Sequence, residues 1–399
     1  MRILLLFFSI LILEAEDWPQ FRGPGGQGHS SETGLPVEWS EAANVKWKVA
    51  IPGQGWSSPS IQGDRIWLTT ATEAGKSLRL LALDKASGET RLDVEVFRLE
   101  EAGQIHAKNS PASPTPLIGG NRVWVHFGAF GTAALTTEGE ILWKKQLPYA
   151  HQHGPGNSPV LAAGLLYVNC DGTDQQYAVA LDPETGEVRW KKDRPSAMAF
   201  ATPLVVPHGD REIIISPGAK RSVTYDAKTG EELWSVRYGD GFSNVPRPVV
   251  GHGLAFIATG FYKPEILAVK MDGKGDVTES HVLWRTQRGT PHTPSPLLVG
   301  DEIYFVSDTG VATCADARTG KVHWTQRLGG NHSASPVFAD GRIYFLSEEG
   351  ETVVLLPGTK FEVLARNQLD GRFLASIAPS DRALFLRSDT HVFRIEAPK

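Results

Sequence analysis

The sequence predicts an all-β fold, an eight-bladed β-propeller whose blades are four-stranded antiparallel sheets. Three observations lead to this prediction: a motif that recurs every 40 to 57 residues, turn residues that divide each copy into four short strands, and abundant glycine (41 of 399 residues), proline (26) and tryptophan (11). Repeats of this length are typical of propeller blades. Apolar residues make up 41% of the chain, which is enough for a large core and argues against disorder.

Each copy of the repeat begins at a proline that precedes a short apolar strand. The stretch 295–324 serves as the template. Copies begin at Pro59, Pro116, Pro159, Pro203, Pro248, Pro296 and Pro336. A worn eighth copy runs from Ala375, where Ser376 takes the place of the proline. In this copy Arg382, Leu384 and Phe385 align with Arg342, Tyr344 and Phe345, which stand forty positions earlier.

Turn residues then divide each copy into four antiparallel strands. The third turn keeps a D-x-x-x-G spacing, at Asp84/Gly88, Asp182/Gly186, Asp226/Gly230 and Asp316/Gly320. An aspartate that bonds the backbone and a glycine that accepts positive φ suit a tight hairpin, so we interpret these aspartates as structural. Four residues after the turn glycine stand Trp143, Trp190, Trp234 and Trp324. A repeated outer-strand tryptophan predicts packing between neighbouring blades.

The two ends of the chain are predicted to share the last blade. Residues 45–49 resemble the outer, tryptophan-bearing strand that the eighth copy lacks, and we expect them to pair with the strand near residues 392–395. Such pairing would remove an open sheet edge. Residues 44–399 are therefore predicted to form one propeller domain, and the Gly/Pro-rich arm 16–43 to lie on its outside.

The first 15 residues have the layout of a secretory signal peptide, with Arg2, an apolar run from Ile3 to Leu13 and cleavage expected after Ala15. We therefore predict an exported protein, periplasmic or extracellular. No transmembrane segment is predicted. A net charge of −5 without a basic patch argues against nucleic acid as a partner. The two cysteines, Cys170 and Cys314, are predicted to stay unpaired because they fall in different blades.

The repeat resembles that of a known protein family. ALDPETGEVRW (residues 180–190) and ADARTGKVHW (residues 315–324) are similar to the signature of the pyrroloquinoline-quinone-like (PQQ-like) repeat, which forms eight-bladed propellers. The segment DWPQFRGPGG (residues 17–26) resembles the one that precedes the propeller in many exported members. The family includes quinone-dependent alcohol dehydrogenases and a scaffold of the outer-membrane barrel-assembly machinery that binds no quinone, so the resemblance implies a fold more than an activity.

Candidate site residues come from the linkers between blades, which open onto one face around the central channel. They are polar or aromatic and precede the blade prolines: Trp56, His106, Lys108, Asn109, His151, His153, Asn157, Phe200, Asn244, Arg247, His292, His332 and Arg372. They either line a wet channel or form a binding site. The best metal candidate is His151 with His153, but no third ligand can be named, so no metal site is predicted.

No catalytic motif was found. The G-x-G-x-x-G spacing at Gly23, Gly25 and Gly28 has no strand before it and no helix after it. We therefore predict a monomeric, non-enzymatic propeller of the cell envelope that binds a protein or saccharide partner. The alternatives are a PQQ-dependent dehydrogenase and a hydrolase or lyase that uses the channel histidines.

No cofactor is predicted, the alternative being PQQ with calcium. The resemblance implies that quinone enzymes hold the ring between a tryptophan and a disulfide of adjacent cysteines, with calcium on acidic and amide side chains. The two cysteines of this chain are far apart in sequence. Calcium also takes six to eight oxygen ligands, whereas the linkers supply mainly histidine, arginine and aromatic groups.

Overall fold

The computed structural model describes residues 16–194 and 196–398. The predicted signal peptide, residues 1–15, lies outside the described residues. Eight antiparallel sheets form eight blades, which confirms the predicted fold class. Each blade runs from an innermost strand at the channel to an outermost strand at the periphery.

The strands have the following bounds. The first blade contains β2 (Ser60–Gln62), β3 (Arg65–Thr72), β4 (Ser77–Asp84) and β5 (Thr90–Arg98). The second contains β6 (Leu117–Gly119), β7 (Arg122–His126), β8 (Thr132–Thr136) and β9 (Ile141–Lys145). The third contains β10 (Val160–Ala162), β11 (Leu165–Asp171), β12 (Gln176–Leu181) and β13 (Val188–Asp193). The fourth contains β14 (Leu204–His208), β15 (Arg211–Pro217), β16 (Arg221–Asp226) and β17 (Glu232–Arg237).

The fifth blade contains β18 (Val249–Gly251), β19 (Leu254–Ala258), β20 (Ile266–Lys270) and β22 (Val282–Thr286). The sixth contains β23 (Leu297–Val299), β24 (Glu302–Val306), β25 (Val311–Asp316) and β26 (Val322–Arg327). The seventh contains β27 (Val337–Ala339), β28 (Arg342–Leu346), β29 (Glu351–Leu356) and β30 (Glu362–Gln368). The eighth contains β31 (Ala378–Ser380), β32 (Ala383–Arg387), β33 (His391–Glu396) and β1 (Val45–Ala50). Further elements are β21 (Gly275–Asp276), which pairs with β17, and two 3₁₀ turns, Glu73–Gly75 and Gly128–Phe130.

The N-terminal strand closes the ring, as predicted. β1 pairs antiparallel with β33, with Val45 opposite Ile395 and Val49 opposite Val392. The indole of Trp47 on this strand donates to the Lys85 carbonyl of the first blade at 3.3 Å. The N-terminal segment therefore supplies the outer tryptophan that the end of the chain lacks.

The alignment of the eighth copy needs a correction of one residue. Its inner strands β31 and β32 begin at Ala378 and Ala383, which are 41 positions after Val337 and Arg342 of the seventh blade. Ile377, and not Ser376, therefore occupies the position of the blade proline. The forty-residue alignment was wrong because this copy has no proline directly before its first strand; its proline, Pro379, lies within β31.

The D-x-x-x-G turns are structural, as interpreted. In the third blade the Asp182 carboxylate accepts the backbone N–H groups of Glu184 and Thr185, and Gly186 has a φ of +72°. A β-carbon at Gly186 would lie 2.8 Å from the Trp143 ring of the second blade. The Trp143 indole also donates to the Pro183 carbonyl in the same turn at 3.0 Å. The motif therefore joins the third blade to the second.

The arm 16–43 does not lie on the outside, and that prediction was wrong. Trp18 is fully buried and pairs with Ile61 on the innermost strand of the first blade. Gly28 accepts the N–H of Phe338 on the innermost strand of the seventh blade at 2.8 Å. The innermost strands leave one edge unpaired along the channel, and the arm satisfies part of that edge. It closes the channel from the face that carries the D-x-x-x-G turns.

Two other expectations concern helices and cysteines. Within residues 16–194 and 196–398, no helix is long and apolar enough to cross a membrane. Cys170 lies on β11 and Cys314 on β25, both are buried, and each thiol is free.

Candidate functional site

One face of the propeller, here called the linker face, gathers the connections between blades. The chain leaves each outermost strand there and enters the next innermost strand, and the turns between second and third strands lie on the same side. A cavity of about 490 Å³ lies at the channel mouth, and residues from all eight blades line it. Phe21, at the tip of the arm, also lines it. The arm therefore forms the floor of the cavity.

A ring of hydroxyl side chains encircles this cavity. It consists of the second residue before the first strand of each blade except the fifth: Ser58, Thr115, Ser158, Thr202, Ser295, Ser335 and Ser376. Each hydroxyl oxygen accepts the backbone N–H of the preceding ring position at 2.9–3.0 Å, and the series closes where Ser376 donates to Ser58. We call this set the hydroxyl ring. It fixes the starts of the innermost strands at one height.

The fifth blade breaks the hydroxyl ring with Arg247. Its backbone N–H donates to Ser295 Oγ, but it has no hydroxyl to accept from Thr202. Its guanidinium instead donates to the carbonyls of Pro203, at 3.0 Å, and Phe21, at 2.6 Å. Arg22 on the arm lies close by and donates to the Pro296 carbonyl at 2.7 Å. The two arginines therefore fix the arm in the channel.

Aromatic side chains form one wall of the cavity, on the fourth and fifth blades. Phe200, Phe242 and Phe261 line it, and the rings of Phe242 and Phe261 meet edge to face at 5.6 Å. Beside them at the rim, Tyr262 is 60% exposed and has a φ of +84°. A tyrosine in that backbone region is strained, and such strain clusters at functional sites.

The opposite wall is polar and includes a contact across the mouth. Lys108, from the long second linker, forms an ion pair with Glu348 of the seventh blade at 2.8 Å. Ser333 also donates to Glu348, at 2.6 Å. Arg372 lies over the Trp56 ring, 5.6 Å from its centroid, and donates to the Ala107 carbonyl. The second linker is thereby fixed across part of the cavity mouth.

Seven of the thirteen candidate residues predicted from sequence line the cavity: Trp56, His106, Lys108, Asn109, His153, Phe200 and His292. The rings of His106 and His153 meet edge to face at 5.3 Å. Burial and the neighbouring His106 lower the pKa of His153. Asp308 is the carboxylate among the lining residues, and it accepts the His292 backbone N–H at 2.6 Å.

The other six candidate residues lie outside the cavity lining. Arg372 sits on Trp56 at the rim and Arg247 holds the arm. Asn157 and Asn244 are buried, and their side-chain amides donate to Asn169 and Tyr238. His332 is buried with its ring against the Gly329 carbonyl. These linker side chains fold back to satisfy local polar groups.

The histidine pair proposed as a metal candidate contacts different surroundings. The His151 ring packs on Phe130 at 4.7 Å, whereas His153 packs on His106 and Phe200. Within the two described ranges, no group of three histidine, cysteine, aspartate or glutamate residues is arranged to hold a metal ion. Within the described residues, His151 and His153 therefore share no third ligand of these types.

Three overlapping stretches, residues 30–152, 131–278 and 274–374, match the PQQ-repeat family model described as outer membrane protein assembly factor BamB. The chain belongs to this BamB-like repeat family. The match covers most of the chain, so the resemblance predicted from the repeat is confirmed.

Individual relatives of this BamB-like chain share only part of its length. Tetrathionate hydrolase of Acidithiobacillus ferrooxidans is 27% identical over 43% of this chain and 36% of its own. Methanol dehydrogenase subunit 1 of Paracoccus denitrificans is 29% identical over 30% of this chain and 22% of its own. The chain thus matches well under half the length of these curated relatives.

Solved structures support the fold alone. Quinohemoprotein alcohol dehydrogenase of Comamonas testosteroni superposes with a TM-score of 0.71 at 9% identity, over 96% of this chain and 82% of that one. A europium-containing methanol dehydrogenase superposes with a TM-score of 0.65 at 10% identity, over 94% and 90%. At such low identity, shared architecture carries no shared chemistry.

Sequence reasoning missed several residues of the BamB-like channel. A serine or threonine directly before six of the seven blade prolines is the sequence signal of the hydroxyl ring, and the predicted site does not include these residues. Phe21 was missed because the arm was placed outside the channel. Asp308, Phe242 and Phe261 lie next to the linker positions or in turns between strands, and the sequence carries no signal that aims them into the cavity.

Proposed function

We propose that the protein is an exported, non-enzymatic binding module of the cell envelope that presents its linker face to a protein or saccharide partner. The observation that carries this proposal is the cavity of about 490 Å³, which all eight blades line. Pockets of 300–1,000 Å³ with apolar walls and a few polar groups are typical of binding sites. The exposed side chains of Phe261 and Tyr262 extend the aromatic wall to solvent, and aromatic anchors dominate many interfaces.

A quinoprotein dehydrogenase is the alternative suggested by the relatives that are named methanol dehydrogenase. The donor set does not fit the quinone with calcium. Calcium takes six to eight oxygen ligands, many of them carboxylates. Asp308 and Asn109 supply the carboxylate and the side-chain amide that line this cavity. Cys170 and Cys314 lie in separate sheets and cannot clamp a ring.

A hydrolase is the other alternative, and one relative is named tetrathionate hydrolase. His292 and Asp308 both line the cavity, but the His292 ring Nδ1 lies 4.0 Å from the nearer carboxylate oxygen. That distance is longer than a hydrogen bond. The His292–Asp308 pair therefore supports a hydrolase less than the shape of the cavity supports a binding module.

Site-specific crosslinking tests the binding proposal. A photoreactive residue is placed at Tyr262 on the linker face and, as the matched control, at exposed Lys228 in a turn on the opposite face. Adducts in the native envelope are expected at Tyr262 and not at Lys228. Protease digestion identifies a protein partner and periodate cleavage a saccharide. Equal adducts at both positions, or adducts at Lys228 alone, would overturn the proposal. Turnover of an alcohol or of tetrathionate by the purified protein would promote the corresponding enzyme instead.

A further inference from the structure

The hydroxyl ring has unused hydrogen-bond donors. Every ring oxygen accepts one backbone N–H, but within the described part of the chain none of the seven O–H groups has a protein acceptor. Six of these residues line the cavity, and each is at most 5% exposed. A buried O–H group without a partner is costly, so these donors call for an acceptor inside the cavity.

Two buried cations lie next to the ring. Arg247 occupies the ring position of the fifth blade, and Arg22 lies beside it on the arm; each is 1% exposed. Within residues 16–194 and 196–398 neither forms a salt bridge with a carboxylate, and Arg22 Nε has no hydrogen-bond partner. Burial lowers the pKa of both guanidinium groups to about 9, with the neighbouring Arg247 also acting on Arg22. Both remain charged at neutral pH.

The carboxylates near the cavity do not neutralise these cations. Glu348 is already engaged by Lys108, Ser333 and Arg372. Asp308 belongs to a turn at the mouth and bonds the His292 backbone. Hydrogen-bond donors that line the cavity are therefore backed by positive charge behind its floor, a combination that stabilises an anion.

We propose that the six hydroxyl-ring residues that line the cavity bind a carboxylate group, while the aromatic wall of Phe200, Phe242 and Phe261, with Phe21 on the floor, binds the apolar body attached to it. The inference rests on the proposed binding function and names the group that enters the cavity. A small apolar monocarboxylate and the C-terminal carboxylate of a polypeptide share this chemistry. Either would place its charged end among the free O–H groups and its apolar part against the aromatic rings.

Calorimetric titration with matched acids and amides tests the inference. The probes are 3-phenylpropionate against 3-phenylpropionamide, and a short peptide that ends in phenylalanine as the free acid against the same peptide amidated. We expect the acid of at least one pair to bind roughly tenfold more tightly than its amide, since hydrogen bonds to a charged group are about twice as strong. Tighter binding of 3-phenylpropionate than of its amide indicates a small-molecule ligand. Tighter binding of the free-acid peptide than of the amidated peptide indicates a polypeptide terminus.

Two serines of the ring provide matched variants. Ser335 and Ser295 each accept a backbone N–H, at 3.0 and 2.9 Å, but Ser335 lines the cavity and Ser295 does not. Ser335→Ala is expected to weaken binding of the acid roughly fivefold, and Ser295→Ala to leave it within twofold. Melting curves confirm that both variants fold.

Three outcomes would overturn the inference: equal affinity for acid and amide, no binding of either acid at millimolar concentration, or equal effects of the two serine variants. Crosslinking at Tyr262 is independent of these titrations. If it captures a partner while the acids fail, the carboxylate inference fails alone. If it captures none, the proposed function fails as well.

Discussion

The backbone N–H of Ser376 donates to the hydroxyl oxygen of Ser58 at 3.0 Å, which joins the start of the last blade to the start of the first. The two residues are 318 positions apart in sequence. Equivalent hydrogen bonds link other neighbouring blades. The contact between the eighth and first blades therefore has the same geometry as the contacts within the rest of the ring. Its strength can therefore be measured against internal joints.

The tryptophan of the N-terminal strand, Trp47, should contribute as much to the stability of the fold as the internal Trp143. Trp47 and Trp143 are both partly buried, and each donates its indole N–H to a D-x-x-x-G turn of the next blade, at 3.3 and 3.0 Å. Trp47→Ala and Trp143→Ala are each expected to lower the free energy of unfolding by about 3 kcal/mol. Urea denaturation measures both. A much smaller effect for Trp47→Ala would contradict closure of the ring by β1.

Loss of Arg22 should release the arm from the channel. Its guanidinium donates to the carbonyls of Pro296, Gln27 and Pro336. Arg22→Ala leaves these buried acceptors unpaired and is expected to cost roughly 3 kcal/mol. A broad-specificity protease should then cut within residues 16–43 faster than in the wild type. The control is Arg288→Ala, an exposed position; equal cleavage of both variants would mean that Arg22 does not hold the arm.

Acid should destabilise the protein through His126. Burial, with a smaller effect of nearby His151, lowers the pKa of His126 to about 3. The folded-state pKa lies below the unfolded value of about 6.5, so the unfolded chain binds more protons and stability is lost as pH falls below 6.5. The loss through this group is roughly 2 kcal/mol at pH 5.

A neutral replacement tests the role of that histidine. His126→Asn should flatten the dependence of unfolding free energy on pH between 6.5 and 5, whereas His208→Asn, at an exposed position, should leave it unchanged. Denaturant titrations at several pH values give the slopes. An unchanged slope in the His126 variant would assign the acid sensitivity to other groups.

The two thiols should be inert in the folded protein and free in the unfolded one. Burial raises the pKa of Cys314 to about 12 and that of Cys170 further. Thiolate is the reactive form, so labelling of the native protein is expected to be slow. Denaturation without reductant should expose two reactive groups per chain. A count of zero would show that the cysteines pair after all.

The repeat made most of the fold predictable from sequence. The spacing of Asp182, Gly186 and Trp190 recurs in several blades because the joints that use it need the same turn and the same indole contact, and recurrence separates a structural requirement from chance. Closure by Val45–Ala50 followed from the missing outer strand of the eighth copy. In the eighth copy, which lacks the proline before its first strand, the alignment on Ser376 was wrong by one residue.

The arm and the cavity were less predictable because they depend on contacts that do not repeat. Glycine and proline in the arm suggested an exposed linker, but the β-carbon that Gly23 lacks would lie 2.4 Å from the Trp18 ring, so this glycine permits close packing. Linker positions such as Asn244 and His153 precede their blades in the same way, but one side chain turns into the core and the other into the cavity. Linker length and side-chain direction differ from blade to blade, and the sequence does not encode them simply.

The arm in the channel also constrains the order of assembly. Residues 16–50 complete contacts with the seventh and eighth blades, which are synthesised after them, so this segment cannot reach its final position until those blades have formed. Contacts of such long sequence separation slow folding. While it waits, the unpaired strand β1 remains open to association with other chains. A chaperone that shields the N-terminal segment until the eighth blade has emerged should therefore help the protein to fold.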